Sequence, residues 1–248
     1  MKRVQRGFTI IEVMLFLAVS GVLAASVLAT VGSTIGMQRY RDATHSFMSY
    51  LQGQYNQAIN VRNDMDMHNA CTGAGFSSSE IVQAGTSADC VIIGRLITSA
   101  DGQRFQSAPI YMSGVNNEFL QSSVGDDVVF TASGARQIFI RTDGGESGTA
   151  ENYTLDWGVQ TAVPASGANA WSIAIVRSPV SGVIHTYTSR ANTQSLGQLH
   201  SLVQDANRQS ETAICLDPSG WLVGQALGVV IAADAPGASS VTTRTEGC

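Results

Sequence analysis

Residues 8–37 are almost wholly apolar, and basic side chains stand directly before this run. They are Lys2, Arg3 and Arg6. About 30 residues of helix, at about 1.5 Å per residue, are longer than the ~30 Å hydrocarbon core of a bilayer. The pattern therefore predicts a membrane-spanning helix, and the basic residues before it predict that the N-terminus lies in the cytoplasm.

The helical pattern continues beyond residue 37 in an amphipathic form. Apolar residues recur at steps of three and four, with polar residues between them: Tyr40, Ala43, Phe47, Leu51, Tyr55 and Ala58. This spacing is typical of a helix that packs one face on a globular core. We predict one helix from about Phe8 to Arg62, whose second half, residues 38–62, lies against a head.

Residues 63–248 are expected to form that head as one domain. Short runs rich in β-branched and aromatic residues predict strands at 90–98, 126–132, 136–143, 152–161, 170–178, 182–189, 221–233 and 240–248. Leucines at helical spacing predict a short helix over 194–209, and residues 63–90, rich in Gly, Ser, Asn and Asp, predict a loop. The predicted fold class is α+β, with a long N-terminal helix packed on an antiparallel β-sheet.

The cysteines indicate disulfides rather than a metal site. They are Cys71, Cys90, Cys215 and Cys248. An even number of cysteines behind an export signal favours two disulfides, and pairing of sequence neighbours gives Cys71–Cys90 and Cys215–Cys248. Two other pairings and buried free thiols stay open, whereas the short spacings of a zinc site are absent.

The composition argues against several classes of function. The net charge is −5, and Lys2, Arg3 and Arg6 supply three positive charges, so the rest of the chain carries −8. An acidic remainder disfavours broad binding of nucleic acid, which needs a clustered basic face. Lys2 is the only lysine, so no P-loop or Schiff-base lysine follows it, and the common hydrolase, zinc-protease and dinucleotide-binding motifs are absent. We predict no enzyme activity, no cofactor and no metal site.

Glu12 is the one carboxylate inside the apolar run, and an ordinary membrane anchor has no use for it. An ionisable residue at membrane depth costs at least ~2.5 kcal/mol and usually marks a function. A cleaved secretory signal is the simpler alternative, since the start is basic and Ala24 and Ala25 are small. The apolar run, however, is longer than the core of about 7 to 15 residues that such signals have.

The stretch Gly7-Phe8-Thr9-Ile10-Ile11-Glu12 resembles the class III signal of type IV prepilins, which combines a short basic leader, a Gly-Phe junction and Glu as the fifth residue after it. The resemblance implies that prepilin peptidase cuts between Gly7 and Phe8 and removes residues 1–7. It also implies methylation of the new Phe8 amine, and pairing of Glu12 with the Phe8 amine of a neighbouring subunit in a fibre.

The resemblance extends to the tail and has one departure. A disulfide often closes a C-terminal loop in this family, and Cys215–Cys248 would match it. The proline that major pilins commonly carry within the apolar run is absent, and Gly21 is the weak point at which the helix could bend instead. Some pseudopilin heads bind calcium, and by resemblance Asp143, Glu146 and Glu151 could supply its ligands, but we expect no metal site there.

The family implies a pilin fold and a structural role. We predict a subunit of a type IV pilus, of the minor-pilin kind; the alternatives are a type II secretion pseudopilin, a major pilin, or a competence or adhesive tip pilin. The implied partners are other pilin subunits in a helical fibre, prepilin peptidase and the inner-membrane machinery of pilus or type II secretion assembly. The precursor would span the inner membrane once through residues 8–37, with a cytoplasmic N-terminus, before it joins an extracellular fibre.

Overall fold

One long helix, α1, covers Ile10–Ile59 and is the first element of the computed structural model. The structure describes residues 9–60, 69–72, 75–78, 90–113, 138–140, 151–162, 170–177, 182–204, 207, 211–217, 226–232, 237–245 and 248. At about 1.5 Å per residue, α1 is about 75 Å long. The predicted long helix is confirmed, and it ends at Ile59 because Asn60 leaves the helical conformation, with φ −93° and ψ 68°.

The environment of α1 changes at Tyr40. Up to Ile35 its large apolar side chains are exposed, among them Ile10 at 76% and Leu28 at 72%. The predicted stripe beyond this point is buried, and its residues are at most 1% exposed: Tyr40, Ala43, Phe47, Leu51, Tyr55 and Ala58. The first half of the helix therefore projects from the head, and the second half is part of its core.

The remaining elements are short. The strands are β1 (Asn69–Thr72), β2 (Gly75–Ser78), β3 (Cys90–Ser99), β4 (Arg104–Ser113), β5 (Ile138–Ile140), β6 (Glu151–Thr154), β7 (Gln160–Ala162), β8 (Trp171–Arg177), β9 (Ile184–Ser189), β10 (Thr212–Asp217), β11 (Leu227–Ile231) and β12 (Val241–Arg244). A second helix, α2, covers Leu196–Leu202. Short 3₁₀ turns lie at Asp156–Gly158 and Ala238–Ser240.

These strands form two antiparallel sheets and a small hairpin. The six-stranded sheet has the order β5-β4-β3-β8-β9, and β6 also pairs with β4. The four-stranded sheet has the order β12-β11-β10-β7, and β1 pairs with β2. The buried half of α1 packs against both sheets, and α2 packs on the other face of the six-stranded sheet. The predicted α+β class is confirmed, in an arrangement consistent with the pilin fold.

Most of the predicted strands are present with shorter bounds. The runs at 170–178, 182–189 and 240–248 contain β8, β9 and β12, and β3 extends one residue beyond the run at 90–98. The runs at 136–143 and 221–233 contain β5 and β11, and the rest of the first run and the start of the second lie outside the described residues. The predicted strand at 126–132 lies outside the described residues.

Two paired strands, β4 and β10, were not predicted from the sequence. β4 contains Ser107 and Pro109, which lower its β-propensity, yet it pairs with β3 from Phe105 to Ser113. β10 places Ile214 and Leu216 in the core with Cys215 between them, a period of two that is only one repeat long. Both strands depend on their neighbours in the sheet more than on their own pattern.

Three predicted elements need correction. Residues 152–161 form two strands instead of one, because Trp157 and Gly158 have φ values of 62° and 72° and turn the chain between β6 and β7. Residues 63–90 are not wholly a loop, since β1 and β2 pair within them. The helix predicted over 194–209 is only seven residues long and begins at a capping box formed by Ser195 and Gln198.

Polar contacts fix the buried half of α1 in register with the sheets. The Tyr40 hydroxyl donates to the Leu216 carbonyl and accepts from the Leu227 N–H, both at 2.7 Å. Farther along, the Tyr55 hydroxyl lies 2.6 Å from the Thr186 hydroxyl. At the end of the helix, Arg177 donates to the Ile59 carbonyl at 3.0 Å. These bonds are spread along the buried half and join it to both sheets.

Candidate functional site

The start of α1 places Glu12 in its first turn. Thr9 is the N-cap, and both its hydroxyl and its carbonyl accept hydrogen bonds from the Glu12 N–H, at 3.3 and 3.1 Å. A carboxylate in the first turn is favoured by the partial positive charge of the helix N-terminus. The carboxylate of Glu12 is exposed, and no described residue forms an ion pair with it.

The segment that follows is apolar on every side. From residue 13 to residue 38 there is no charged side chain, and exposed apolar residues point in all directions around the helix: Met14, Phe16, Val22, Leu23, Val27 and Leu28. A window of 18 residues in α1 has a mean hydropathy of 2.3, and none of it is buried in the head. An ordinary core helix would be buried, so this segment needs an apolar environment from outside the chain.

The hydroxyl groups in this segment are compatible with such an environment. Ser26 donates to the Leu23 carbonyl at 2.8 Å, and Thr34 donates to the Thr30 carbonyl at 3.0 Å. The Thr30 hydroxyl donates to the Ser26 carbonyl at 2.9 Å. These three hydroxyls are thus satisfied within the helix, as a membrane requires of polar groups.

A cation and an aromatic ring meet where the exposed half of α1 ends. The guanidinium carbon of Arg39 lies 4.5 Å from the centre of the Trp157 ring, in cation–π geometry. Trp157 is 50% exposed although its neighbours Leu155 and Val159 are buried. We missed this pair in the sequence because residues 152–161 were interpreted as one strand; the Trp-Gly dipeptide was the available turn signal.

A polar cluster lies on the buried half of α1. The Glu151 carboxylate accepts from the side-chain amides of Gln54 and Gln57, each at 2.9 Å, and one of its oxygens is 3.7 Å from the Arg95 guanidinium. Arg95 also donates to the oxygen of Gln54 and to the Ser107 hydroxyl, which donates to Gln54 in turn. Glu151 therefore binds the helix to the sheet and is not placed to serve as a free metal ligand.

The charge states of this cluster follow from burial and hydrogen bonding. Burial alone would raise the pKa of Glu151, but the hydrogen bonds from Gln54 and Gln57 and the charge of Arg95 outweigh it, so the pKa is lowered. Burial lowers the pKa of Arg95, and Glu151 partly offsets that change. These shifts describe an ion pair within the six-stranded sheet, between Arg95 and Glu151, to which the glutamine amides of α1 donate hydrogen bonds.

The predicted site residues lie in separate parts of the protein, and some of them lie outside the described residues. Gly7 and Phe8 lie outside the described residues, as do the side chains of Cys71 and Cys90, so the Cys71–Cys90 disulfide stays a prediction. Cys215 and Cys248 form a disulfide, with their Cα atoms 5.3 Å apart, and it ties β10 to the last residue. Glu12 lies in the exposed half of α1, whereas Cys215 lies in β10 of the head, so the processing signal and the C-terminal disulfide are separate features.

The described part of the head includes an open cleft. A cleft of about 520 Å³ opens between β8, β9 and the start of β10, with Arg190 and Glu211 among its lining residues. Glu211 is paired with Arg244 at 2.6 Å. Among the residues that the structure describes, no group of three or more His, Cys, Asp or Glu side chains is placed to hold a metal ion.

Comparison with known proteins identifies the N-terminal segment. Residues 2–28 match the prokaryotic N-terminal methylation motif, which is the class III signal of type IV pilins and pseudopilins. The resemblance noted in the sequence is therefore confirmed for this segment, which contains Gly7, Phe8 and Glu12. The motif implies processing by prepilin peptidase and assembly into a pilus or pseudopilus. No curated protein and no solved structure matches the chain.

Proposed function

We propose that this chain is a structural subunit of a type IV pilus, of the minor-pilin kind. The observation that carries the proposal is Glu12, a single carboxylate in the first turn of an exposed apolar helix, five residues after the motif's Gly7. The precursor spans the inner membrane with its N-terminus in the cytoplasm, is cut between Gly7 and Phe8, and joins an extracellular fibre through α1.

The exposed half of α1 is suited to both the membrane-bound precursor and the assembled fibre. In the precursor, its apolar surface and internally bonded hydroxyls are stable in lipid. In a fibre, the same surface packs against α1 helices of neighbouring subunits, which exclude water as lipid does. The head of residues 63–248 is held to the helix by its polar contacts and is displayed outside this packed core.

Cleavage supplies the partner that Glu12 lacks within the described chain. Removal of residues 1–7 leaves Phe8 with a charged amine at the start of the apolar segment. Burying either charge alone among packed helices costs several kcal/mol, whereas burying them as a pair between neighbouring subunits removes most of that cost. The pairing therefore favours one stagger between neighbouring helices, the one that brings Glu12 to the Phe8 amine.

Intact-mass spectrometry tests the first step of this proposal. The full chain is co-expressed with a prepilin peptidase, and the product should have lost residues 1–7 and gained one methyl group. Gly7→Leu is the matched control, because a bulky side chain at the cleavage junction should leave the precursor uncut. A product of full length from the unaltered chain would refute the proposal.

Fibre composition tests the second step. Sheared surface fibres from cells that express the chain are analysed by quantitative mass spectrometry. A minor pilin should be present in the fibres as the whole mature chain, in an amount that is a small fraction of the amount of the main subunit. A chain that is processed but confined to the cell envelope would be a secretion pseudopilin, and a chain that forms most of the fibre mass would be a major pilin; either result would overturn the minor-pilin assignment.

A further inference from the structure

The geometry points to a second membrane contact, made by the head. We infer that Trp157, stacked with Arg39, rests in the outer headgroup layer of the same membrane that α1 spans before assembly. The inference depends on the proposed function, since it takes α1 as a membrane-spanning helix. It adds a surface that holds the base of the head against the bilayer and so orients the precursor.

The length of the exposed segment sets the depth of this surface relative to the bilayer. From Ile10 to Arg39 the helix axis measures about 44 Å at about 1.5 Å per residue. A bilayer with its headgroups is about 40–45 Å thick. If the start of α1 lies at the cytoplasmic headgroups, Arg39 reaches the headgroups of the opposite leaflet. Trp157 lies at the same level because its ring stacks on Arg39.

The turn that carries Trp157 is built to hold the ring outward. Leu155 and Val159 on either side are at most 1% exposed and anchor the turn in the core. The Leu155 N–H donates to the Gln103 carbonyl at 2.9 Å, which fixes the turn to the β3–β4 connection. Trp157 itself has φ 62° and ψ 17°, a left-handed conformation that an aromatic residue rarely adopts. Such outliers are often found where a residue is needed for function.

The side chains at this level match the chemistry of a headgroup layer. Tryptophan is enriched at membrane interfaces because its ring is apolar and its N–H is polar, and arginine pairs with lipid phosphates there. Asp156 is also exposed in this turn, so the surface is mixed in charge. We therefore assign it to the headgroup layer in general and not to a site for anionic lipid.

A bilayer fits this surface better than a second copy of the chain. Trp157 contacts α1 at Arg39, just beyond the exposed apolar segment whose last large exposed members are Val31 and Ile35. The other large apolar side chain exposed in the described head is Val183. It precedes β9 near Arg177, which binds the end of α1 at Ile59, about 30 Å along the helix from Arg39.

Depth-dependent quenching of tryptophan fluorescence tests the inference. The full chain is reconstituted into bilayers of phosphatidylethanolamine and phosphatidylglycerol that contain lipids brominated near the headgroup end of the acyl chain. Trp157→Phe keeps an aromatic ring but removes this fluorophore. Combining Trp157→Phe with Val183→Trp moves the fluorophore to the far end of the head and serves as the matched control.

We expect the brominated lipids to quench the unaltered chain at least twofold more than Trp157→Phe, and to leave the Val183→Trp variant at the level of Trp157→Phe. Equal quenching of the unaltered chain and Trp157→Phe would overturn the inference. The inference would also fail if Val183→Trp restored the quenching. It would fail as well if Trp157 were shielded only in assembled fibres and not in the vesicles. Protease protection of the N-terminus is measured on the same vesicles to show whether α1 spans the bilayer. If α1 does not span the bilayer, the proposed function fails. If α1 spans the bilayer and Trp157 is not quenched, only this inference fails.

Discussion

The Tyr40 hydroxyl accepts a hydrogen bond from the Leu227 N–H at 2.7 Å, at the point where α1 enters the head. The same hydroxyl donates to the Leu216 carbonyl at 2.7 Å, so one side chain joins the helix to β10 and β11. Tyr40 is fully buried, and burial raises the pKa of its hydroxyl. This contact fixes the point at which the exposed half of the helix leaves the head.

Replacing Tyr40 with phenylalanine should lower the free energy of unfolding by about 1–3 kcal/mol, because the Leu227 N–H and the Leu216 carbonyl lose a buried partner. Urea unfolding of the full chain in detergent measures the loss. Tyr153→Phe is the matched control: its hydroxyl bonds the Ser46 hydroxyl at 2.9 Å in a half-buried position where water can replace it. Equal losses in the two variants would show that Tyr40 has no special role at this junction.

Glu12→Ala should be processed normally but should enter fibres at least tenfold less often than the unaltered chain. Processing depends on the Gly7-Phe8 junction, whereas assembly without the acid leaves a buried Phe8 amine unpaired, and breaking a buried pair costs about 3–5 kcal/mol. Quantitative mass spectrometry of sheared fibres and of the membrane fraction measures both steps.

Ser26→Ala is the control for Glu12→Ala, because the Ser26 hydroxyl is exposed and bonds only within α1. It should be incorporated normally. Glu12→Gln separates charge from size: if the charge pairs with the Phe8 amine, glutamine should fail as alanine does. Normal incorporation of Glu12→Ala would remove our explanation of the acid.

The long helix could be predicted because its two signals are local. The apolar run and the stripe that begins at Tyr40 both lie within one segment, and helix formation depends on neighbours three and four residues away. The bonds that hold the helix on the sheets could not be predicted in this way. Gln54 contacts Glu151 and Ser107, residues 97 and 53 positions farther along, and no local pattern marks such partners.

The sheets were harder to predict than the helix for the same physical reason. A strand is stabilised by partners across the sheet, so β4 forms despite Pro109 because the apolar strand β3 pairs with it. At residues 152–161 the β-branched and aromatic pattern was present, but the left-handed conformation of Trp157 ended the strand. The surface that we assign to the membrane headgroups arises from this local exception, which explains why the sequence pattern concealed it.

Acid should weaken the contact between α1 and β6. The pKa of Glu151 in the folded state is lower than the ordinary value of 4.5, so the ionised carboxylate stabilises the folded state relative to the unfolded state. The stability from this group is therefore complete above about pH 4.5 and is lost as the pH falls through the lowered pKa. Unfolding measured from pH 7 to pH 3 should show this loss, and Glu151→Gln should lack it.

Gln57→Ala provides a directional check on the role of Glu151. It removes one of the two amide donors that lower the pKa of Glu151. The acid-induced loss of stability should then be smaller and should be complete at a higher pH than in the unaltered chain, because the pKa of Glu151 in the folded state lies closer to its ordinary value. An unchanged pH profile in both Glu151→Gln and Gln57→Ala would show that other carboxylates control the acid response.

The conformation of Trp157 should make glycine the better small residue at this position. Trp157→Gly and Trp157→Ala both remove the ring and its contact with Arg39, but only glycine accepts φ 62° without strain. We expect Trp157→Gly to unfold with a free energy about 1 kcal/mol higher than Trp157→Ala. Thermal unfolding of the two detergent-solubilised chains measures the difference, and a more stable alanine variant would contradict the left-handed turn.

The C-terminal disulfide should depend on the absence of a side chain at Gly228. Gly228 pairs with Cys215 in the sheet, and a Cβ atom there would lie 2.5 Å from the Cys248 sulfur and 2.9 Å from the Ile214 carbonyl oxygen. Gly228→Ala should therefore leave a fraction of Cys215 and Cys248 unpaired. Alkylation of free thiols under denaturing conditions, followed by intact-mass analysis, measures that fraction.

The energetic consequence of Gly228→Ala can be separated from its effect on the sheet. The disulfide closes a loop with a sequence separation of 33, worth about 4 kcal/mol in the chain-entropy model. In a background of Cys215→Ala and Cys248→Ala the sulfur is gone, so the penalty for Gly228→Ala should shrink to the clash with Ile214. Gly197→Ala is the matched control, because a Cβ there meets no atom within 4 Å. An equal penalty for Gly228→Ala with and without the disulfide would show that the sulfur does not limit this position.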